Sequence, residues 1–307
     1  MAWTAADIPR LNGTTVIVTG GNGGLGEVTA RELARQGASV VIAARNLEKA
    51  AGAEARIRAE VGEVALEVMP LDLADLASVR AFGESWGDRS LDVLVNNAGV
   101  MAIPYRQTAD GFEMQIGTNH LGHFALTGLL LPALLEGTGG RIVNVASTAH
   151  RMPGMSFDDL RSDTGYEAWG AYARSKIANL YFTYELQRRV ERKGVALTAV
   201  AAHPGYAATD LQHVAPRLTG SVLSRWLMNA GNALMAQSAD RGALPQMYAA
   251  THSDVVGGDY YGPDGFMEMW GNPRKVESSK KSHDVALQHS LWEQSIELTG
   301  VSWAALD

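Results

Sequence analysis

The chain has 307 residues, 46% hydrophobic and 19% charged, with a formal net charge of −7; it can bury a large core but lacks the basic surplus that nucleic acid requires. Zero cysteines exclude disulfides, cysteine-ligated zinc and thiol catalysis. No run of eighteen uncharged apolar residues occurs and the start, MAWTAADIPR, has no basic-then-apolar leader, so we expect a cytoplasmic protein without a stable membrane anchor.

The first element, Thr15 to Thr19, is a β-branched run that reads as a buried strand, and Glu27 to Gln36 has helical periodicity. Between them TTVIVTGGNGGLG passes through a glycine-dense turn. A helix that starts at such a turn points unpaired backbone N–H groups and its positive dipole end at whatever sits there, and glycine lets the backbone approach a pyrophosphate without a Cβ in the way. Gly21, Gly23 and Gly26 satisfy G-x-G-x-x-G; Thr19, Gly20, Gly24 and Gly26 satisfy T-G-x-x-x-G-x-G. For the loop alone, an ordinary tight βα turn is the plain alternative.

Further along, Ser39 to Ala43 predicts a strand, Glu48 to Val61 a helix, Val64 to Met69 a strand, Leu76 to Trp86 a helix and Leu91 to Val95 a strand. A long helix is expected over roughly Gly111 to Leu135, a strand at Arg141 to Ala146, a second long helix over Ala171 to Arg192, a strand at Val195 to Ala201, and an amphipathic helix at His283 to Leu298. Strands separated by helices imply parallel βαβ units. No linker or repeat divides the chain, and we read residues 1–307 as one domain.

Chemistry-bearing residues recur at the predicted strand ends. Asp72-Leu73 follows the third strand and Asn96-Asn97-Ala98-Gly99 the fourth; Asn119 lies in the long helix and Ser147 ends the fifth strand. Tyr172 and Lys176 form Y-x-x-x-K, and Pro204-Gly205 follows the sixth strand with Thr209 beyond. This order, from Thr15 to about Gly265, closely resembles the short-chain dehydrogenase/reductase family. The stretches AYARSKIANLYFTYEL around Tyr172 and NHLGHF at Asn119 to Phe124 are most similar to its retinol-dehydrogenase-like subgroup.

The resemblance implies a Rossmann-type α/β fold: a doubly wound, seven-stranded parallel sheet with three helices on each face. It implies a catalytic set of Asn119, Ser147, Tyr172 and Lys176. Its cofactor set is Gly20, Asn22, Gly24, Leu25, Gly26, Arg45, Asp72, Leu73, Asn97, Ala98, Gly99, Tyr172, Lys176, Pro204, Gly205 and Thr209. It also implies a homodimer or homotetramer, a substrate loop at about 206–240, and a longer Ser147-to-Tyr172 gap as in the subgroup.

Hydride arriving at a carbonyl carbon leaves charge on oxygen, so a proton donor is needed; Tyr172 suits that role, and Lys176 one turn along favours its anion in the oxidative direction. Ser147 would hold the substrate oxygen, and Asn119 a water that links Lys176 to solvent. The plain alternative for Tyr172 and Lys176 is a surface tyrosine beside a solvated lysine. At the end of the second strand an NAD site would carry an acid, whereas this chain reads Ala43-Ala44-Arg45-Asn46, so Arg45 predicts NADP(H) over NAD(H). Many NADP-preferring relatives carry a second basic residue in the glycine loop, where this chain has Gly23. Asp158 and Asp159 read as a solvated face or cap, and His120, His123, His150 and His203 as packing or loop residues, since none shows metal-ligand spacing. Between Thr209 and Gln237, Val222, Trp226, Leu227, Ala230 and Leu234 recur at helical spacing and could close over an apolar substrate or pack on the core.

We therefore expect an NADP(H)-dependent oxidoreductase acting on an apolar ketone, aldehyde or alcohol, with no metal. The alternatives are a double-bond reductase like the light-dependent protochlorophyllide reductases, whose cysteine this chain lacks, and a nucleotide-sensing module without chemistry.

Overall fold

The computed structural model describes residues 2–137, 139–153, 157–206 and 237–306. Its strands are β1 (Thr15–Thr19), β2 (Ser39–Ala44), β3 (Leu66–Pro70), β4 (Val93–Asn96), β5 (Gly140–Val145), β6 (Leu197–Ala202), β7 (Tyr260–Pro263) and β8 (Pro273–Lys275). They form one sheet in the order β3-β2-β1-β4-β5-β6-β7-β8. Seven strands run parallel as expected; β8 adds an eighth, antiparallel to β7. Because β1 lies between β2 and β4, the chain reverses its winding there and opens a crevice at the carboxyl ends of the strands.

The helices are α1 (Gly24–Arg35), α2 (Leu47–Val61), α3 (Leu76–Trp86), α4 (Met114–Ile116), α5 (Gly122–Leu135), α6 (Ala168–Lys193), α7 (Ala239–Gly242), α8 (Leu244–Thr251) and α9 (Val285–Thr299). Each sheet face carries its own apolar core. One joins Val16, Val18 and Val40 to Leu33, Ile57 and Met247 of α1, α2 and α8; the other joins Ile17, Leu94 and Ile142 to Phe82, Phe124 and Phe182 of α3, α5 and α6. The C-terminal helix α9 packs on α6, and Trp292 and Trp303 lie buried against Phe124 and Phe182 with ring centroids 4.6–6.0 Å apart. Arg80 of α3 ties the tail down through the Thr299 carbonyl at 2.6 Å.

The helix expected over Gly111–Leu135 is broken. It starts at α4, where the buried Glu113 carboxylate accepts the N–H groups of Gln115 and Ile116, then widens into a single π turn, Gly117–Leu121, before α5. The glycines flanking the turn let it sit tightly. A Cβ on Gly117 would lie 2.4 Å from the Thr108 methyl, and one on Gly122 would lie 2.3 Å from the Leu73 carbonyl oxygen. Asn119 is in the middle of this turn, and π turns of this kind are frequent at functional sites.

Thr209 and the stripe from Val222 to Leu234 lie outside the described residues. Among the described residues, no helix is long and apolar enough to cross a membrane, and no three His, Asp or Glu side chains are placed to hold a metal ion.

Candidate active site

The glycine turn takes its shape from two backbone constraints. Gly20 and Gly24 have φ of 66° and 53°, where a side chain is strained, and a Cβ on Gly26 would lie 2.4 Å from the Gly20 carbonyl oxygen. The chain can therefore fold back on itself between β1 and α1, leaving the α1 N-terminus facing a cleft of about 420 Å³. Gly20, Asn22, Gly24, Leu25 and Gly26 line one wall of that cleft. Arg45, Asp72, Leu73, Asn97, Ala98 and Gly99 continue it, and Tyr172, Lys176 and Pro204 close its far end. Glycine N–H groups at a helix N-terminus suit a phosphate, so the residues present fit a dinucleotide.

Thr19, the last residue of β1, organises the middle of the wall. Its hydroxyl oxygen accepts the N–H groups of Asn97 and Ala98 at 2.9 and 3.0 Å, while Asn97 Nδ2 donates to the Thr19 carbonyl at 2.8 Å.

At the β2 end, Arg45 is 69% exposed, with a guanidinium nitrogen 3.7 Å from Asp72. Asn46 caps α2 by accepting the Lys49 N–H at 2.8 Å, and that cap brings Lys49 into the same cleft wall. The sequence reading missed Lys49 and looked for a second basic residue in the glycine loop instead. It stands four residues after Arg45 on the first turn of α2, and the direction in which α2 leaves β2 is what turns it toward the cleft.

At the far end of the cleft the side chains are withdrawn from solvent. Tyr172 and Lys176 share one face of α6 and are only 7% and 5% exposed, unlike a surface tyrosine beside a solvated lysine. The Tyr172 hydroxyl hydrogen-bonds the Ser147 side chain; burial pushes its pKa up to about 12, and Ser147 only partly opposes this. Lys176 Nζ donates to the Val145 carbonyl at 2.9 Å and stands 5.7 Å over the Tyr172 ring. Burial lowers its pKa to about 8. Burial is thus the largest influence on the Tyr172 hydroxyl, while the Lys176 ammonium gives one hydrogen bond to Val145 and keeps its charge near the ring.

Ser147 and Asn119 stand just behind the cleft surface. Asn119 is buried, with Oδ1 accepting the Val100 N–H at 2.8 Å and Nδ2 donating to the Val100 carbonyl and to Ser175 Oγ at 2.9 Å each. A Cβ on Gly99 would lie 3.0 Å from Asn119 Oδ1 and 3.7 Å from Lys176 Nζ, so glycine here lets the three groups close up.

Ser147 is held from the other side. His150 Nδ1 donates to the Ser147 carbonyl at 2.6 Å, and its Nε2 accepts the Ser279 N–H at 3.0 Å. His203 pairs with Glu268 at 3.0 Å, and Arg151 clamps both Glu268 oxygens at 3.0 Å each. Burial raises the Glu268 pKa, but the bonds from His203 and Arg151 outweigh it and bring it to about 2. Gly205 borders Pro204 with φ of 65°, in a spot where a Cβ would meet the Met269 carbonyl at 2.5 Å. Asp159 is a turn cap, as expected: it accepts the N–H groups of Asp163 and Thr164 at 3.0 and 2.9 Å.

A glycine turn at the topological switch of a doubly wound sheet, with a buried Ser–Tyr–Lys group across the cleft, defines a dinucleotide-dependent oxidoreductase architecture. Sequence comparison is specific about the family. Its short chain dehydrogenase description matches residues 14–217. Retinol dehydrogenase 12 of Mus musculus is 39% identical over 96% of this chain and 89% of its own length. Polyprenol dehydrogenase of Homo sapiens is 39% identical over 93% of this chain and 84% of its own. A crystal structure of an uncharacterized protein from Mycobacterium paratuberculosis is 44% identical, covers 99% of both chains and superposes with a TM-score of 0.81. The chain belongs to the short-chain dehydrogenase/reductase family of oxidoreductases and is retinol-dehydrogenase-like.

Proposed function

We propose that this protein is an NADP(H)-dependent oxidoreductase that interconverts apolar aldehydes or ketones with their alcohols, Tyr172 serving as the acid and base. The observation that carries the reading is the Tyr172 hydroxyl bonded to Ser147, with Lys176 beside it, at the closed end of a cleft whose other end is a glycine turn. A nicotinamide nucleotide held along that wall supplies or accepts the hydride.

Ser147 donates a hydrogen bond to the substrate oxygen and orients it. Tyr172, whose protonated form burial favours, delivers its proton to that oxygen as charge develops during reduction and takes it back during oxidation. Lys176 keeps positive charge close to the tyrosine ring, and exclusion of water strengthens every such interaction. Arg45 and Lys49, both exposed in the wall beyond β2, suit a 2′-phosphate, and no carboxylate between β2 and Asn46 would bind a free 2′-hydroxyl instead.

Support for an apolar substrate comes from the rim beside Pro204. Tyr206, Phe266, Met267 and Trp270 are exposed on the turns next to it, and the Tyr206 N–H donates to the Met269 carbonyl at 2.8 Å, tying those turns together. The named activities of the retinol and polyprenol dehydrogenase relatives point the same way.

The test is consumption of NADPH, followed by its absorbance, across a panel of apolar aldehydes and ketones. Turnover with long-chain or ring-bearing members supports the reading; NADPH binding without turnover on any member would favour a sensing module.

A further inference from the structure

His123 is one turn beyond Asn119, buried where α5 leaves the π turn, and both of its ring nitrogens are engaged. Nδ1 lies 3.0 Å from the Asn119 carbonyl oxygen and Nε2 lies 2.9 Å from Thr19 Oγ1. The partners decide the tautomer. A carbonyl can only accept, so the ring proton is on Nδ1, and the bare Nε2 must then accept from the Thr19 hydroxyl. Thr19 has one hydroxyl proton; its other acceptor, the Val95 carbonyl, is farther away at 3.3 Å. With that proton committed, the Thr19 lone pairs face the N–H groups of Asn97 and Ala98.

A continuous chain of hydrogen bonds therefore runs from the nucleotide wall to the π turn: Asn97 and Ala98 to Thr19, Thr19 to His123, His123 to Asn119. It continues through Asn119 Nδ2 to Ser175 Oγ, which donates to the Tyr172 carbonyl at 2.8 Å. There is little slack at its centre, because Asn119 Oδ1 and Lys176 Nζ crowd the same Gly99.

We infer that His123 is a positioning residue that locks the π turn and Asn119 to the nucleotide wall through Thr19, so that Asn119 and Lys176 keep the registry the chemistry needs. Without the imidazole the buried Asn119 carbonyl loses its side-chain partner, and the Thr19 hydroxyl turns to Val95. The histidine must be neutral for this. A second ring proton would set a donor against Thr19 Oγ1, already an acceptor twice over, and would place a cation facing Lys176 of α6 and beside His120 on its own segment. Burial, reinforced by the Lys176 charge and only partly opposed by the bond to Asn119, holds its pKa down to about 4.

The inference rests on reading Asn119, Ser147, Tyr172 and Lys176 as the reacting centre, and the tests separate the two. Histidine nitrogen NMR on the wild type, assigned by the signal lost in His123→Phe, is expected to show the Nδ1–H tautomer at neutral pH whether or not any substrate turns over; an Nε2–H ring would overturn the link. On the reductase activity, His123→Phe should lower kcat about 10- to 100-fold with little change in KM. His123→Asn, which keeps a donor near the Nδ1 position, should recover much of the loss. The double variant His123→Phe with Thr19→Val should lose less than the product of the single effects; fully multiplicative losses mean that His123 only fills space. If His123→Phe does not fold, Thr19→Ser against Thr19→Val carries the test: Ser should retain kcat and Val should not, and equal kcat in the two overturns the proposal. A wild type that turns over no compound defeats the reading of the site, while the tautomer still decides the hydrogen-bond link.

Discussion

Arg45 and Lys49 stand in water at one end of the cleft, while Lys176 and Tyr172 are sealed from it at the other, and the same kinds of group behave differently in the two places. At the open rim a charge acts over distance through solvent, adjusts its rotamer freely and is weakened by salt. At the closed end, desolvation moves Tyr172 up and Lys176 down, toward their neutral forms, and fixed hydrogen bonds to Ser147 and Val145 set their geometry. On the proposed reading, nucleotide choice rests on residues that can be exchanged at small structural cost. Proton handling, on the same reading, rests on residues whose surroundings must change with them.

The largest expected effect breaks the closed end. Tyr172→Phe should cut kcat for carbonyl reduction by roughly 10² to 10⁴-fold and leave NADPH affinity, followed by fluorescence titration, nearly unchanged. Turnover that survives would overturn the assignment of the proton donor. Next comes the open end: Arg45→Asp should shift the NADPH-to-NADH ratio of kcat/KM toward NADH by about 10- to 100-fold, the worth of one charge-assisted bond plus a new repulsion. Unchanged selectivity would remove Arg45 from the site.

A pH profile sharpens the contrast. Lys176 is a cation below its lowered pKa of about 8 and loses its charge as pH rises through that value, so kcat/KM for reduction should fall above pH 8, by about tenfold per unit at the limit. In Lys176→Met that alkaline limb should vanish along with most of the rate. The smallest effect is Lys49→Met, expected to weaken NADPH binding by about 3- to 10-fold at low ionic strength and less at high salt; a loss that salt does not diminish would place Lys49 in a structural role.

How much of this could be read beforehand varies with how local the cause is. The Tyr172–Lys176 pair was legible because a four-residue spacing puts two side chains on one helix face whatever the helix packs against. The glycine turn was legible because steric exclusion of Cβ, shown at Gly26 against the Gly20 carbonyl, is a property of the chain itself. The break in the long helix was not, since the tight packing of Gly117 and Gly122 on Thr108 and Leu73 exists only once the fold forms. Lys49 escaped for a similar reason, because its relevance depends on the direction in which α2 leaves β2. The short β8 is a three-residue edge strand with Pro273 at its start, too brief for alternation to register.

The sequence by itself determined the order of strands and helices, the turn at the end of β1, the polar residues at the strand ends and the sign of the charge at Arg45. These follow from backbone sterics, periodicity and side-chain chemistry that do not depend on neighbours far along the chain. Tertiary structure alone decided which groups lost water and which hydrogen bonds remained to them. Tyr172 became a stubborn acid and His123 a neutral bridge between Thr19 and Asn119 because burial in a medium of low polarity penalises charge and leaves each buried polar atom dependent on the partner that the fold brings to it.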